Sequence, residues 1–248
     1  GILLTPDGEE FIGYAKQVVE QYQLIESKYV QKEKVKKKFS VSMQHYTFAV
    51  NAFVEMVKQF GMDEYEFAVH ETKTYEVIED VRTFRSEIGI LYLNEFNRKV
   101  LTKLFAEYNL EFHEILRCGV YVYMWKGHPL ANKKEIDIKD INGEKFVLGE
   151  FDDEDRKALL SILRDHEVII DLKFMCLSND MVLNIVKSGQ AISFFPKFLS
   201  HFEDLVSIPI KNVNLQRSYK AIVKKDRQIS QVVEDFIDFT KEKLNEEI

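Results

Sequence analysis

Six apolar residues near the start of the chain, Phe11, Ala15, Val18, Tyr22, Ile25 and Tyr29, recur at intervals of 4, 3, 4, 3 and 4 with Lys, Gln and Glu between them. That is the a/d alternation of a coiled-coil seam, narrower than the stripe of a helix lying on its own domain. Thr5 is a good N-cap, Pro6 stands where a helix tolerates proline, and Asp7, Glu9 and Glu10 place negative charge at the positive end of the helix dipole. A helix is therefore expected from Thr5 onward. Two readings of it stay open: a dimerisation helix, favoured by the spacing, or a helix packed on its own domain, since the run is shorter than the roughly three to four heptads a sustained coiled coil shows.

The lysine-rich stretch from Val30 to Lys38 breaks this pattern and reads as a solvated connector. From Phe39 the periodicity alternates between strand and helix. "FSVSM", a helix from about Tyr46 to Phe60, "YEFAVHE", a helix from about Thr74 to Phe84, and "IGILYL" form one βαβ series. "KFVLGE", a helix near Asp155 to His166, "IIDLKFMC", a helix near Asn179 to Lys187, and "AISFF" form a second. Two long strands, "EILRCGVYVYMW" and "LQRSYKAIVKK", link them, and a helix from about Ser230 to Asn245 closes the chain. The fold class predicted is α/β: two Rossmann-like lobes joined by two crossover strands, the plan of hinged binding domains.

Composition supports a globular chain, because 46% hydrophobic with 30% charged residues leaves no case for disorder. A net charge of -7 argues against nucleic-acid binding by this region itself, so DNA contact would have to come from elsewhere. The longest apolar runs fall far short of the roughly 20 residues a bilayer requires, and no membrane partner is expected. Cys118 and Cys176 form no CxxC pair, read as small buried hydrophobes, and suit a reducing, cytoplasmic setting.

Chemistry for catalysis is sparse. There is no GxGxxG, GxxxxGK[ST], HExxH or GxSxG, and the six histidines lack metal-ligand spacing. The acidic cluster from Glu150 to Arg156 precedes a helix and lacks the glycine of a calcium loop, so it reads as helix capping. Neither a cofactor nor a metal is expected, and no residue is assigned a catalytic role.

Ligand binding fits better. After Met43 a strand gives way to a helix within a few residues, so free amides and the positive end of a dipole meet at Gln44, His45, Tyr46 and Thr47. Thr47 offers a hydroxyl to a carboxylate or other small anion, or serves as a plain N-cap. Ser178 and Asn179 hold the equivalent place in the second series. Ligands of open α/β sheets lie beyond the carboxyl ends of strands, which adds Tyr92, Leu93, Asn94 and Phe194.

Together these features resemble the LysR-type transcriptional regulators over essentially the whole chain. "LLTPDGEEFIGYAKQVV" is similar to the family's "LT-x-AG" segment, where a wing strand enters the linker helix that pairs two subunits. "GHPLA" matches "HPLA", "IVKSGQAISFFPK" resembles "V-x-x-G-x-G-I-x-x-LP", and "SEIGIL" resembles "xDxGI". The resemblance implies a periplasmic-binding-protein-like fold of type II, with residues 1–4 a remnant of a winged helix-turn-helix wing, 5–38 the linker helix and connector, 39–118 with 221–248 regulatory lobe I, and 119–220 lobe II. It also implies a cytoplasmic dimer or tetramer, a small-molecule effector in the cleft between the lobes, most simply a small carboxylate or related metabolite, and DNA contact only through a missing N-terminal helix-turn-helix. Phe53 and Val54 stand where many members carry "LP", and Gln190 replaces the second glycine of "GxG". The first change is expected to leave the fold intact and the second to alter the floor of the pocket. A solute-binding protein of a transport system and an enzyme on a similar scaffold are the competing readings; a heptad helix ahead of the first lobe has no use in the former.

Overall fold

The computed structural model describes residues 4–26, 29–30, 36–44, 46–149, 153–176, 178–197, 204–213, 215–225 and 229–247. The expected wing remnant at Ile2 and Leu3, most of the lysine connector, His45, and Glu150 to Asp152 of the acidic cluster lie outside them. The chain divides into two units: residues 1–91, 102–115 and 220–243 form unit 1, and 92–101, 116–219 and 244–248 form unit 2.

Unit 1 begins with helix α1 (Pro6–Glu26), whose first turn is capped as the sequence suggests, the Thr5 Oγ1 accepting from the Gly8 amide at 3.1 Å. Strand β1 (Lys37–Met43) runs parallel to β2 (Tyr65–Glu71), from Lys37 opposite Tyr65 to Met43 opposite Glu71, and parallel to β3 (Ile88–Leu93), Val41 facing Ile88. The strand starts two residues before "FSVSM", because Lys37 and Lys38 still pair with β2. Helices α2 (Thr47–Phe60) and α3 (Thr74–Arg82) cross between these strands. Helix α3 ends short of the expected Phe84, which takes a left-handed φ of 59°. Phe39, Val41 and Met43, which share one face of β1, are fully buried. Ser42, equally buried, is satisfied by Asp80 Oδ2 at 2.6 Å and Ser86 Oγ at 2.7 Å, and Arg85 reaches the same Asp80 at 3.1 Å.

Helix α4 (Arg98–Glu107) was not foreseen from the pattern; its apolar positions Leu101 and Phe105 are buried, but the stretch sits between two strands already accounted for. Strand β4 (Leu110–Trp125) passes from unit 1 into unit 2, where it pairs antiparallel with β8 (Ser193–Pro196) and with β9 (Leu205–Lys211), a second element the pattern missed. The short β5 (Ile136–Asp137) lies parallel to β9. Strand β6 (Lys145–Gly149) runs parallel to β7 (Asp171–Cys176) with α5 (Asp153–Asp165) between them in sequence, and α6 (Asn179–Lys187) follows β7. The unit 2 core gathers Val122, Met124, Ile138, Phe146, Phe194 and Ile208. Strand β10 (Gln216–Lys224) returns to unit 1, where helix α7 (Gln231–Glu247) begins. Phe236 of α7 lies 5.8 Å from Phe39 and 6.4 Å from Phe53, ring to ring. Phe53 thus belongs to an aromatic cluster with Phe39 and Phe236.

Candidate functional site

The turn from β1 into α2 is built from the inside outward. Gln44 is 6% exposed; its Nε2 donates to the Thr74 hydroxyl at 3.0 Å and its Oε1 accepts from the Tyr46 hydroxyl. The Tyr46 ring stacks on Phe48 at 5.4 Å, so both ends of the side chain are held. Tyr46, not Thr47, occupies the N-cap position, with extended backbone and no side-chain cap. Its carbonyl accepts from the Ala49 and Val50 amides at 3.1 Å each. The plain N-cap reading of Thr47 is therefore replaced: Thr47 is the first helical residue and is exposed. No acidic residue stands in the first turn of α2, so neither a hydroxyl cap nor a carboxylate offsets the positive end of its dipole. Such an end, with N–H groups pointing outward, suits a small anion. Thr74, which holds Gln44, was missed by sequence reasoning; it begins α3 and looked like an ordinary helix start.

The turn from β7 into α6, in unit 2, solves the same local problem differently. Ser178 is the N-cap and its Oγ accepts from the Met181 amide at 3.3 Å, while Asp180 sits in the first turn. Asn179 is the first helical residue and half-buried. Phe194 is 9% exposed and stacks on Phe146 at 4.9 Å, which makes it a packing residue of the unit 2 core. Tyr92 and Leu93 are buried at the end of β3. The Arg217 guanidinium lies 4.4 Å above the Tyr92 ring, a cation the sequence reading left out although it is the second residue of β10. Asn94 caps the turn leading to α4: its Oδ1 accepts from the Phe96 and Asn97 amides at 2.9 Å, and its own amide donates to Asn97 Oδ1 at 2.8 Å. The structure thus groups Gln44, Tyr46 and Thr47 in unit 1, and Tyr92, Leu93 and Asn94 at one strand end in unit 2.

Burial pushes the Cys118 thiol up to about 11, against the opposing influence of the Arg217 charge and the Lys197 amide. Among the described residues no group of three His, Cys, Asp or Glu side chains could hold a metal ion, and no helix is long and apolar enough to cross a membrane.

The seam of α1 stays outside the core. Phe11, Val18, Tyr22 and Ile25 are 71%, 69%, 61% and 60% exposed, Tyr29 is exposed as well, and Ala15 is half-buried.

Comparison with known proteins supplies the class. The model of the LysR substrate binding domain matches residues 45–245. The chain belongs to the LysR family of regulators. A curated relative, the HTH-type transcriptional activator CmpR of Synechocystis, is 21% identical over 135 residues, covering 53% of this chain and 44% of that protein. The chain therefore spans less than half the length of that relative. The structure resembles HinK, a LysR family regulator from Pseudomonas aeruginosa, with a TM-score of 0.65 at 17% identity over 97% of this chain and 81% of that one. It also resembles the regulatory domain of Synechocystis CcmR in complex with 2-PG, with a TM-score of 0.64 at 18% identity over 83% and 96%. Two LysR-like motifs of this chain gain a local explanation. His128 of "GHPLA" accepts from the Leu130 amide through Nδ1 at 3.2 Å, and its Nε2 lies 3.4 Å from Glu144 Oε2, which ties the turn after β4 to the residue before β6. Gly189, at φ +75°, and Gly127 both lie against Trp125, and a Cβ on Gly127 would come within 2.1 Å of the indole. Gln190 is exposed beside that turn.

Proposed function

We propose that this chain is the effector-sensing and oligomerising part of a LysR-type transcriptional regulator. Its effector is a small carboxylate or related anionic metabolite anchored at the start of α2. The observation that carries this is the N-terminus of α2, left without a side-chain cap and without an acidic residue in its first turn, with Thr47 exposed there. Gln44 and Tyr46 act as positioning residues that hold the turn from beneath. The relative CcmR, solved with 2-PG, supports a small-molecule effector. Membership of a family of regulators favours this reading over that of a solute-binding protein.

The effector shifts an existing conformational equilibrium, and a coupling of roughly 1 to 3 kcal/mol would change DNA affinity about 5- to 150-fold through the helix-turn-helix that the family pattern implies. A second copy of the chain docks along the seam of α1, whose a/d spacing is self-complementary and whose apolar side chains lie open. The test is a thermal-shift screen of small carboxylates followed by Thr47→Val. A true effector at about 100 times its dissociation constant adds roughly 2.7 kcal/mol of stability, and Thr47→Val reduces that gain without changing the stability of the unliganded chain. An effector that stabilises the variant as much as the original chain rules the α2 anchor out.

A further inference from the structure

Helix α1 offers two faces, and the less apolar one is packed. Glu10, Gly13, Tyr14 and Gln17 face unit 1: a Cβ on Gly13 would come within 2.8 Å of the Phe84 ring, the Tyr14 and Phe84 rings lie 4.9 Å apart, and Glu10 Oε1 is 3.0 Å from Lys224 Nζ. The seam of Phe11, Ala15, Val18, Tyr22 and Ile25 lies roughly 100° around the helix, one residue's rotation away. Hydrophobic burial alone would roll α1 by that amount and lay the seam on its own unit, since burial is favourable in proportion to apolar area. The packed face even holds Gln17 with its Nε2 buried and without a hydrogen-bond partner among the described residues. Something opposes the roll.

Lys224 is the group that does. Its side chain is 3% exposed, it donates to Glu10 and to the Tyr108 carbonyl at 3.1 Å, and it sits 5.8 and 5.6 Å from the ring centroids of Tyr14 and Phe84. Rolling α1 takes Glu10 away and leaves a buried cation with no opposite charge, a costly state. The same roll would carry Gly13 off Phe84, whose left-handed backbone, uncommon for a bulky residue, forms the platform.

We propose that the Lys224–Glu10 pair is a rotational pin that keeps the seam of α1 turned outward and available to a second copy of the chain. This rests on the reading of α1 as a dimerisation helix. The test uses the full chain, with sedimentation equilibrium for assembly and Val18→Cys for the direction of the seam, since Cys118 and Cys176 are both buried. Glu10→Ala and Lys224→Met are each expected to raise the dimer dissociation constant at least tenfold. In dilute solution each slows thiol-reagent labelling of the introduced cysteine at least fivefold, because the seam closes onto its own unit. Dissociation constants and labelling rates within twofold of the original chain overturn the pin. Glu10 is only half-buried, so Glu10→Ala decides the matter even where Lys224→Met fails to fold. Val18→Glu separates the two ideas: if it abolishes assembly while Glu10→Ala has no effect, the dimer helix stands and the pin falls, and if it leaves assembly intact, both fall.

Discussion

The turns before α2 and α6 occupy the same topological place, each following a strand of a parallel pair, yet they treat the helix end in opposite ways. At α6 the chain completes its own chemistry: Ser178 accepts the Met181 amide and Asp180 adds a negative charge. At α2 the cap position holds Tyr46, whose hydroxyl is spent on Gln44, and the first turn carries no acid. A helix end that its own side chains satisfy gains about 1 kcal/mol of stability; one left open gives that up and keeps an attraction for anions. The strand behind each turn differs as well. Strand β1 is flanked by β2 and β3 and holds its turn on a buried base, whereas β7 pairs with β6 and leaves Leu172, Phe174 and Met175 exposed. The turn whose helix end is left open is thus the one held from beneath by the Gln44–Thr74 hydrogen bond.

Converting one turn into the other gives the largest expected effect. Thr47→Asp places a carboxylate in the first turn of α2, as Asp180 does in α6 one position further on; effector affinity should fall at least 100-fold, roughly 2.7 kcal/mol, while the unliganded chain becomes about 0.3 to 1 kcal/mol more stable through the dipole. Calorimetric titration with the effector found by screening checks the first and denaturant unfolding the second; affinity kept within threefold would remove the anion anchor. Gln44→Ala should come next. It deprives the Tyr46 hydroxyl of its buried acceptor and Thr74 of its donor, lowering stability by roughly 2 kcal/mol, read as a shift of the urea midpoint at unchanged slope. Ser178→Ala sharpens the contrast from the other side: stability drops by about 1 kcal/mol and effector affinity changes less than about threefold, because that hydroxyl already serves its own helix. The smallest effect concerns Cys118. With burial holding its thiol up at about 11, the thiol stays protonated through neutral pH, and reactivity gains begin only as pH rises toward that value. Alkylation of the native chain at pH 8 should leave Cys118 unmodified, and mass spectrometry after unfolding should show it reactive.

Much of the architecture was legible. The strand–helix alternation located β1, α2, β2, β3, β7 and α6 because each carries its own period and burial. Helix α4 and β9 were missed because Val100, Leu101, Leu104 and Phe105 span a run too brief to separate from a loop, and Pro209 interrupts the apolar positions of β9. At the candidate site, the positions of Thr47 and Ser178 could be read as helix starts, but not which hydroxyl was a cap. That depends on a one-residue shift in where the helix begins, which Tyr46 settles by anchoring to Gln44. Arg217 escaped notice because a single arginine at a strand start carries no signal until its position above Tyr92 is known.

The sequence alone determined the period of each element and the family, since these follow from local spacing: the heptad seam of α1, the parallel strands read as apolar runs, and the motifs at Gly127 and Gly189. Tertiary structure alone decided which face of α1 is packed and which helix end is left open. Both depend on partners distant in the chain, Lys224 for Glu10 and Thr74 for Gln44, and a local pattern carries no record of a contact made across 214 or 30 residues.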